Sequence, residues 1–311
     1  MKPFCFGIDV GGTTIKLGCF RTDGTLLEKW EVPTRLEEGG KYIIPDAVKE
    51  VKAKMLSLGI GREEVQGVGI GVPGPVNDAG EVSRAVNLHW GYKNLVQEME
   101  ELLDMPVKAG NDANVAALGE MWQGAAKGCR NLIMVTLGTG VGGGIIVNGK
   151  IIAGTHGAAG EIGHACVEPS ETERCNCGNY GCLEQMAAAT GIVRLANKEL
   201  EQSDEDSLLR KEKVTAKSVF DAYKQDDALA SRVVRRFGEY LGNALAIFSC
   251  VVDPERIVIG GGVSKAGEVL ISVIEPYFRR DAFPACKNIP IVLATLGNDA
   301  GIYGTAKLVL D

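Results

Sequence analysis

The chain has 311 residues, 45 % apolar and 23 % charged, with a formal net charge of −7, so it is long enough for about two domains and can bury cores without disulfides. An acidic chain with only 6 % aromatic residues lacks the basic excess that neutralises a phosphate backbone and the rings that stack on bases, so nucleic acid is not an expected partner. MKPFCFGIDV reaches Asp9 too early for a secretory core, and the uncharged run 131–149 is interrupted by GTGVGGG; no export signal or membrane contact is expected, and the expected location is the cytoplasm.

The first predicted strand is Phe4 to Val10, followed by a Gly11-Gly12 turn, a strand Thr14 to Phe20, an Asp23-Gly24 turn and a strand Thr25 to Val32. Ile15, Leu17 and Cys19 alternate with Lys16 and Gly18, the pattern of a half-buried strand. VGIGVPG at 68–74 reads as a strand and turn, and PVKA leads into Gly110-Asn111-Asp112-Ala113, which opens a helix, DANVAALGEMW. Next come a strand Leu132 to Leu137, a glycine turn Gly138 to Gly144, a strand Gly144 to Val147, an Asn148-Gly149 turn and a strand Lys150 to Ala153. Asp-Gly and Asn-Gly favour hairpins because both central residues take φ > 0. The run 201–213 has mixed charge and no apolar period, as in a solvated loop, and Arg235-Arg236 and Arg279-Arg280 read as exposed faces. IVIGGGV at 257–263 is a further strand and glycine turn; IVLATL leads into Gly297-Asn298-Asp299-Ala300 and the last helix.

Three patterns therefore recur in the same order: a glycine turn between strands, a strand ending in glycines, and GNDA before a helix. That is a duplicated α/β unit, each copy a three-strand meander followed by helix–strand alternation. Two like domains form a cleft, the usual place for a ligand. The second copy carries extra material over about 154–184.

Asp9-Val10-Gly11-Gly12-Thr13-Thr14 and Gly138-Thr139-Gly140 place bare backbone and hydroxyls where an anion can approach, and two such turns in equivalent places point to phosphate. Neither has the spacing of a P-loop, and each leads into a strand rather than a helix, unlike a dinucleotide fingerprint. Asp9 aligns with Thr136, so only the first turn brings a carboxylate. Beside a polyphosphate it calls for a cation, a hydrated Mg²⁺, unless it merely caps the turn. Asp112 and Asp299 are equal candidates for chemistry on sequence alone, each also able to cap its helix.

His164, Cys175, Cys177 and Cys182 give three soft ligands within eight residues and a histidine, a set that suits a closed tetrahedral structural Zn²⁺. An oxidised cysteine pair or an unliganded loop are the alternatives. The six other cysteines (Cys5, Cys19, Cys129, Cys166, Cys250, Cys286) lie among apolar residues and are expected to be buried free thiols of a reducing compartment.

DVGGTTIK (9–16), GVPGPV (71–76), GND (110–112), GTGVGGG (138–144), HGAAGEIGH (156–164), CNCGNYGCLE (175–184) and GGGV (260–263) together resemble the ROK family of sugar kinases, its bacterial glucokinases most of all, from Phe4 to the C-terminus. The resemblance implies the actin-like ATPase (ribonuclease H-like) fold, ATP with Mg²⁺, and a structural zinc. It implies Asp112 as catalytic base and Asn111, Glu161, His164 and Glu184 as sugar contacts, with Gly74 and Asn87 matching weaker parts of the pattern. Unaided by it, Glu161 also reads as a helix-start carboxylate and Glu184 as a surface acid. Gly11, Gly12, Thr13, Thr14, Gly138, Thr139 and Gly140 would hold phosphates, Lys16 would add charge, and Gly260, Gly261, Gly262 and Val263 match the adenosine-contacting turn. Asp299 is then left as the cap of a last helix that returns to the first domain, giving residues 1–117 with 298–311 and residues 118–297 as the two domains. The implied reaction is phosphorylation of a hexose, glucose first, at its 6-hydroxyl, by a protein commonly homodimeric. Kinases of N-acetylmannosamine, N-acetylglucosamine, allose or fructose are the alternatives within the family. A sugar-responsive repressor is disfavoured, because the first strand begins at Phe4 and leaves no room for a helix-turn-helix.

Overall fold

The computed structural model describes residues 2–310. Its strands are β1 (Phe4–Val10), β2 (Thr14–Arg21), β3 (Leu26–Pro33), β4 (Val65–Val72), β5 (Glu81–Val82), β6 (Lys93–Asn94), β7 (Val107–Asn111), β8 (Leu132–Leu137), β9 (Val141–Val147), β10 (Lys150–Ile151), β11 (Arg256–Gly260) and β12 (Ile291–Leu293). One sheet has the order β3-β2-β1-β4-β7 and the other β10-β9-β8-β11-β12, with β5 and β6 as a separate ribbon. The two orders are the same, which is the duplication expected from the repeats. In register, Asp9 lies opposite Gly71 and Thr136 opposite Gly260, so Asp9 and Thr136 hold equivalent places at the ends of the two central strands.

The chain divides into two compact units. The first takes the residues up to Arg130, Gly144–Gly160 and those from Thr295 on; the second takes Asn131–Gly143 and Glu161–Ala294. The expected boundary at 117 falls inside the helix Asp112–Gln123, which lies wholly in the first unit.

In the first unit β1 is covered on both faces. Phe6, Ile8 and Val10 cluster with Ile15, Leu17 and Cys19 on one side, while Cys5 packs with Phe20, Ile302 and Ala306 on the other. The half-buried pattern expected for β2 therefore fails over its second half: Gly18 and Phe20 are buried as well, because the helix Ala300–Leu308 covers that face. This helix rides on neighbouring backbone. A Cβ on Gly304 would lie 1.6 Å from the Val115 carbonyl oxygen, and one on Gly69 1.8 Å from that of Thr305. Fully buried Glu120 locks the junction, accepting hydrogen bonds from the N–H groups of Ala125 (2.7 Å), Leu296 (2.8 Å) and Thr295 (3.1 Å).

Asp299 does not cap the last helix. Its backbone is already helical (φ −96°, ψ −9°), no side-chain capping bond forms, and its carboxylate pairs with Lys29 at 2.5 Å. A capping residue needs an extended backbone to turn its oxygen onto the following N–H groups.

The second unit is organised on the helix Ala228–Val252, whose buried Leu229, Val233, Val234, Phe237, Leu241 and Leu245 recur every three or four residues. Its cap, Asp227, accepts from Ala230 N–H (2.9 Å) and also from Ser207 Oγ (3.0 Å) and Leu208 N–H (2.8 Å). The run 201–213 is thereby anchored, with Ser207 and Leu209 buried, rather than wholly solvated; a lone buried leucine leaves no period to detect. Arg235, Arg236, Arg279 and Arg280 are exposed, as expected. None of the nine cysteines is in a disulfide, and only Cys5, Cys19 and Cys286 of the six scattered ones are buried; Cys129 is intermediate, and Cys166 and Cys250 are exposed, the latter on the outer face of the long helix. Among the described residues, no helix is long and apolar enough to cross a membrane.

Candidate functional site

The first glycine turn directs its carbonyl oxygens inward. Gly11 N–H donates to Thr14 O (2.9 Å), Thr34 N–H to Thr13 O (2.8 Å) and the Thr34 hydroxyl to Gly11 O (2.7 Å). With those acceptors and the Gly11 N–H engaged, an anion approaching the exposed Gly12 and Thr13 meets amide and hydroxyl donors. Asn87, exposed on the short turn Val86–Leu88, borders this site: its carbonyl oxygen lies 3.7 Å from where a Gly12 Cβ would be.

Asp9 closes the strand beneath the turn. A Cβ on Gly301 would stand 2.5 Å from its carboxyl group, so the start of the last helix lies against it. Burial, then the negative charge of Asp112, push its pKa from 3.8 up to about 6, and Lys16 offsets part of the rise. Lys16 sits opposite Asp9 in register and donates from Nζ to Asn298 O at 3.1 Å. The folded state thus binds the Asp9 proton more tightly than the unfolded state. Its favourable contribution is present below about pH 4 and is lost as the pH rises through about 6. Asp9→Asn should therefore be more stable than wild type at pH 8, by on the order of 2 to 3 kcal/mol, with the gain vanishing below pH 4. Urea unfolding without nucleotide, at both pH values, checks this; equal stability at pH 8 would contradict it.

At the end of β7, Asn111 rather than Asp112 caps the helix. Its Oδ1 accepts from Ala113 N–H (3.0 Å) and Asn114 N–H (3.2 Å), and its Nδ2 donates to Gly74 O (3.1 Å). Asp112 is the first helical residue, exposed, its Oδ1 accepting from Ala113 N–H at 2.8 Å. Gly74 is required as glycine: its φ is +100°, and a Cβ would meet the Arg84 carbonyl oxygen at 2.6 Å.

In the second unit, Gly138 N–H donates to Gly140 O at 2.9 Å, shaping the equivalent turn. Gly260 and Val263 are buried, whereas Gly261 and Gly262 are exposed. Gly261 (φ +84°) brings the turn after β11 onto the end of β8, where a Cβ would be 2.5 Å from Leu137 O. Glu184 Oε2 accepts from Val141 N–H at 3.1 Å, and Cys175 Sγ is 3.8 Å from its Oε1. Glu184 is thus no free surface acid.

His164, Cys175, Cys177 and Cys182 converge, with their ligand atoms all within 4.8 Å of one another. Cys177 and Cys182 sulfurs are 3.7 Å apart, and Cys175 Sγ is 3.7 Å from His164 Nδ1. A tetrahedral zinc with bonds of about 2.3 Å to sulfur sets such edges at about 3.8 Å, so the donor set fits zinc. Burial and the Cys175 and Cys177 side chains push the Cys182 thiol up to about 12; a cation at this point is what would draw the sulfurs into their ionised form. His164 Nδ1 faces this cluster while Nε2 faces Glu161 Oε2 at 3.9 Å, and exposed Glu161 makes no capping bond.

The first unit therefore assembles Asp9, Lys16, Asn111, Asp112 and Gly74 with Asn87 and the turn 11–14. The second assembles the turn 138–140, Glu184, Glu161, His164 and the cysteines. Thr34, whose donors fix the first turn, is not visible in the sequence, because its partners lie across a sheet rather than in a local pattern.

The sequence model of the ROK family matches residues 5–311. The chain belongs to the ROK family. Among ROK proteins, the glucokinase of Halalkalibacterium halodurans is 44 % identical over 309 residues, 97 % of this chain and 94 % of that one. The ROK hexokinase from Thermus thermophilus superposes with a TM-score of 0.83 at 31 % identity, covering 97 % of this chain and 96 % of that one. The ROK glucokinase from Streptomyces griseus, solved with glucose and AMPPNP, gives 0.75 at 33 % identity and 98 % of each chain. The paired sheets of equal strand order are the actin-like ATPase fold of the ROK sugar kinases.

Proposed function

We propose that the protein transfers the γ-phosphoryl group of ATP to the 6-hydroxyl of glucose. The observation that carries this reading is the arrangement in the first unit. An exposed carboxylate, Asp112, acts electrostatically on Asp9, which lies under a turn whose Gly12 and Thr13 donors are left for an anion. A sugar hydroxyl is a weak nucleophile, and Asp112 accepts its proton as the new O–P bond forms. Most of the remaining catalysis is positioning and charge neutralisation. The turn Gly11 to Thr14, through the N–H and hydroxyl groups of Gly12, Thr13 and Thr14 not spent within it, and the turn Gly138 to Gly140, through the Thr139 and Gly140 N–H groups, hold phosphate oxygens; Lys16 adds positive charge, and Asp9 would hold a hydrated Mg²⁺ as the source of countercharge. Exposed Gly261 and Gly262 admit the adenosine, flanked by Gly260 and Val263.

For the sugar, Asn111 has one Nδ2 proton left beyond its bond to Gly74. Glu161, His164 through Nε2, Glu184 through Oε1, and Asn87 provide the other groups. His164, Cys175, Cys177 and Cys182 would hold a structural zinc, and His164, turned with Nδ1 toward the cysteines, presents Nε2 to the hydroxyls. The reading places the protein in the cytoplasm, where ATP is made available and nine unbridged thiols stay reduced.

Glucose is the preferred hexose in this reading because the relatives of highest identity above are glucokinases. ADP release measured across glucose, mannose, fructose, allose, N-acetylglucosamine and N-acetylmannosamine tests it. Glucose should give the highest kcat/KM; a higher value for an N-acetylhexosamine would overturn the substrate assignment.

A further inference from the structure

The chain leaving the cysteine cluster grips the second glycine turn. Ala189 N–H donates to Gly138 O at 2.8 Å, and the Thr190 hydroxyl donates to Thr139 O at 2.9 Å. Glu184 accepts from Val141 N–H, and its carboxylate lies where a Cβ on Gly140 would be 2.2 Å from Oε2. All three residues fall within the seven positions 184–190, which start two residues after Cys182.

A trans peptide points its C=O and N–H in opposite directions. Fixing the Gly138 carbonyl onto Ala189 therefore aims the Thr139 N–H away from the helix Ala189–Gln202, and fixing the Thr139 carbonyl onto Thr190 does the same for the Gly140 N–H. Two successive N–H groups held this way form a concave anion seat, with their partner carbonyls facing elsewhere. Glu184 occupies the next N–H, that of Val141, and so ends the seat. Thr190 is itself exposed, where a threonine ordinarily contributes little to folding.

We propose that the segment Glu184 to Thr190 positions the second glycine turn for the nucleotide's phosphates, with the Thr190 hydroxyl as a positioning group for nucleotide binding. The inference rests on the phosphate role of that turn given above. The segment starts two residues after Cys182, so the metal-binding cluster and the phosphate seat are joined by one short stretch of backbone.

The test pairs Thr190→Val, which removes the donor at nearly constant shape, with Thr190→Ser, which keeps it. The Kd for Mg²⁺-AMPPNP, read by calorimetry without turnover, should rise roughly five- to tenfold in Thr190→Val, the effect of one lost hydrogen bond. KM for ATP should rise in step, KM for glucose should stay within twofold, and Thr190→Ser should bind like wild type. A Thr190→Val Kd within twofold of wild type overturns the inference, as does an equal rise in both KM values or a failure of serine to restore binding. Glucose-dependent ADP release by the wild type is followed in parallel. Its absence would overturn the glucokinase reading, whereas the AMPPNP titration judges the role of Thr190 by itself.

Discussion

Asp112→Asn should lower kcat for glucose phosphorylation by about 10² to 10⁴, the usual weight of a general base, while glucose binding stays within twofold. The substitution keeps the shape of the side chain and its acceptor oxygen for the Ala113 N–H. The helix cap is also untouched, because it belongs to Asn111. What disappears is the carboxylate able to take a proton from the sugar alcohol. Asp299→Asn is the matched control. Asp299 occupies the second GND segment, but its carboxylate is paired with Lys29, more than half exposed, and such pairs contribute little. Its variant should turn over within about twofold of wild type. Steady-state rates with glucose, together with glucose affinity by calorimetry, check both; equal losses from the two variants with intact folding would contradict the assignment of Asp112.

Cys177→Ser should cost the protein its zinc, several degrees of Tm and at least tenfold in activity. Cys177 is exposed, and a surface cysteine replaced by serine is ordinarily worth within about 0.5 kcal/mol. A large loss at this position has one physical source, the removal of one of four ligands from a closed tetrahedral site. The cluster is continuous with the helix Leu183–Ala187, which begins immediately after Cys182, so its disorder would spread to Glu184 and the second glycine turn. Cys250→Ser, also exposed, should leave metal content and Tm unchanged. Zinc by mass spectrometry of the purified variants, with thermal unfolding, separates the outcomes. A Cys177→Ser protein of wild-type Tm and activity would show that the cluster does not need a metal.

The fold was legible because its punctuation is local. Glycine turns between short apolar strands, and their repetition, announce the duplicated meander, and the alignment of Asp9 with Thr136 survives as equivalent places in the two sheets. The cysteine spacing was legible for the same reason, as ligands within eight residues need only a short loop to converge. Burial on both faces of β2 was not legible, because the covering helix comes from Ala300–Leu308, nearly 300 residues away in sequence. Helix capping misled at Asp299, where backbone dihedrals decide the role and composition does not reveal them. Thr34 and Thr190 escaped because each acts by donating to carbonyls distant in sequence, Thr34 to those of Gly11 and Thr13 and Thr190 to that of Thr139. Glu184 was visible as an acid after the last cysteine, but its hold on Val141 N–H spans 43 residues and leaves no pattern in the chain.

The central claim is that Asp112 draws a proton from a monosaccharide alcohol while glycine turns hold the donor's phosphates. The most direct measurement is the simultaneous yield of ADP and glucose 6-phosphate from zinc-replete protein with Mg²⁺-ATP, given glucose or 6-deoxyglucose. The account predicts equal amounts of both products with glucose, and ADP at the sugar-free background with the 6-deoxy sugar, which lacks the attacking oxygen. ADP formation that is the same with and without glucose, or no nucleotide consumption with any common hexose, would contradict it.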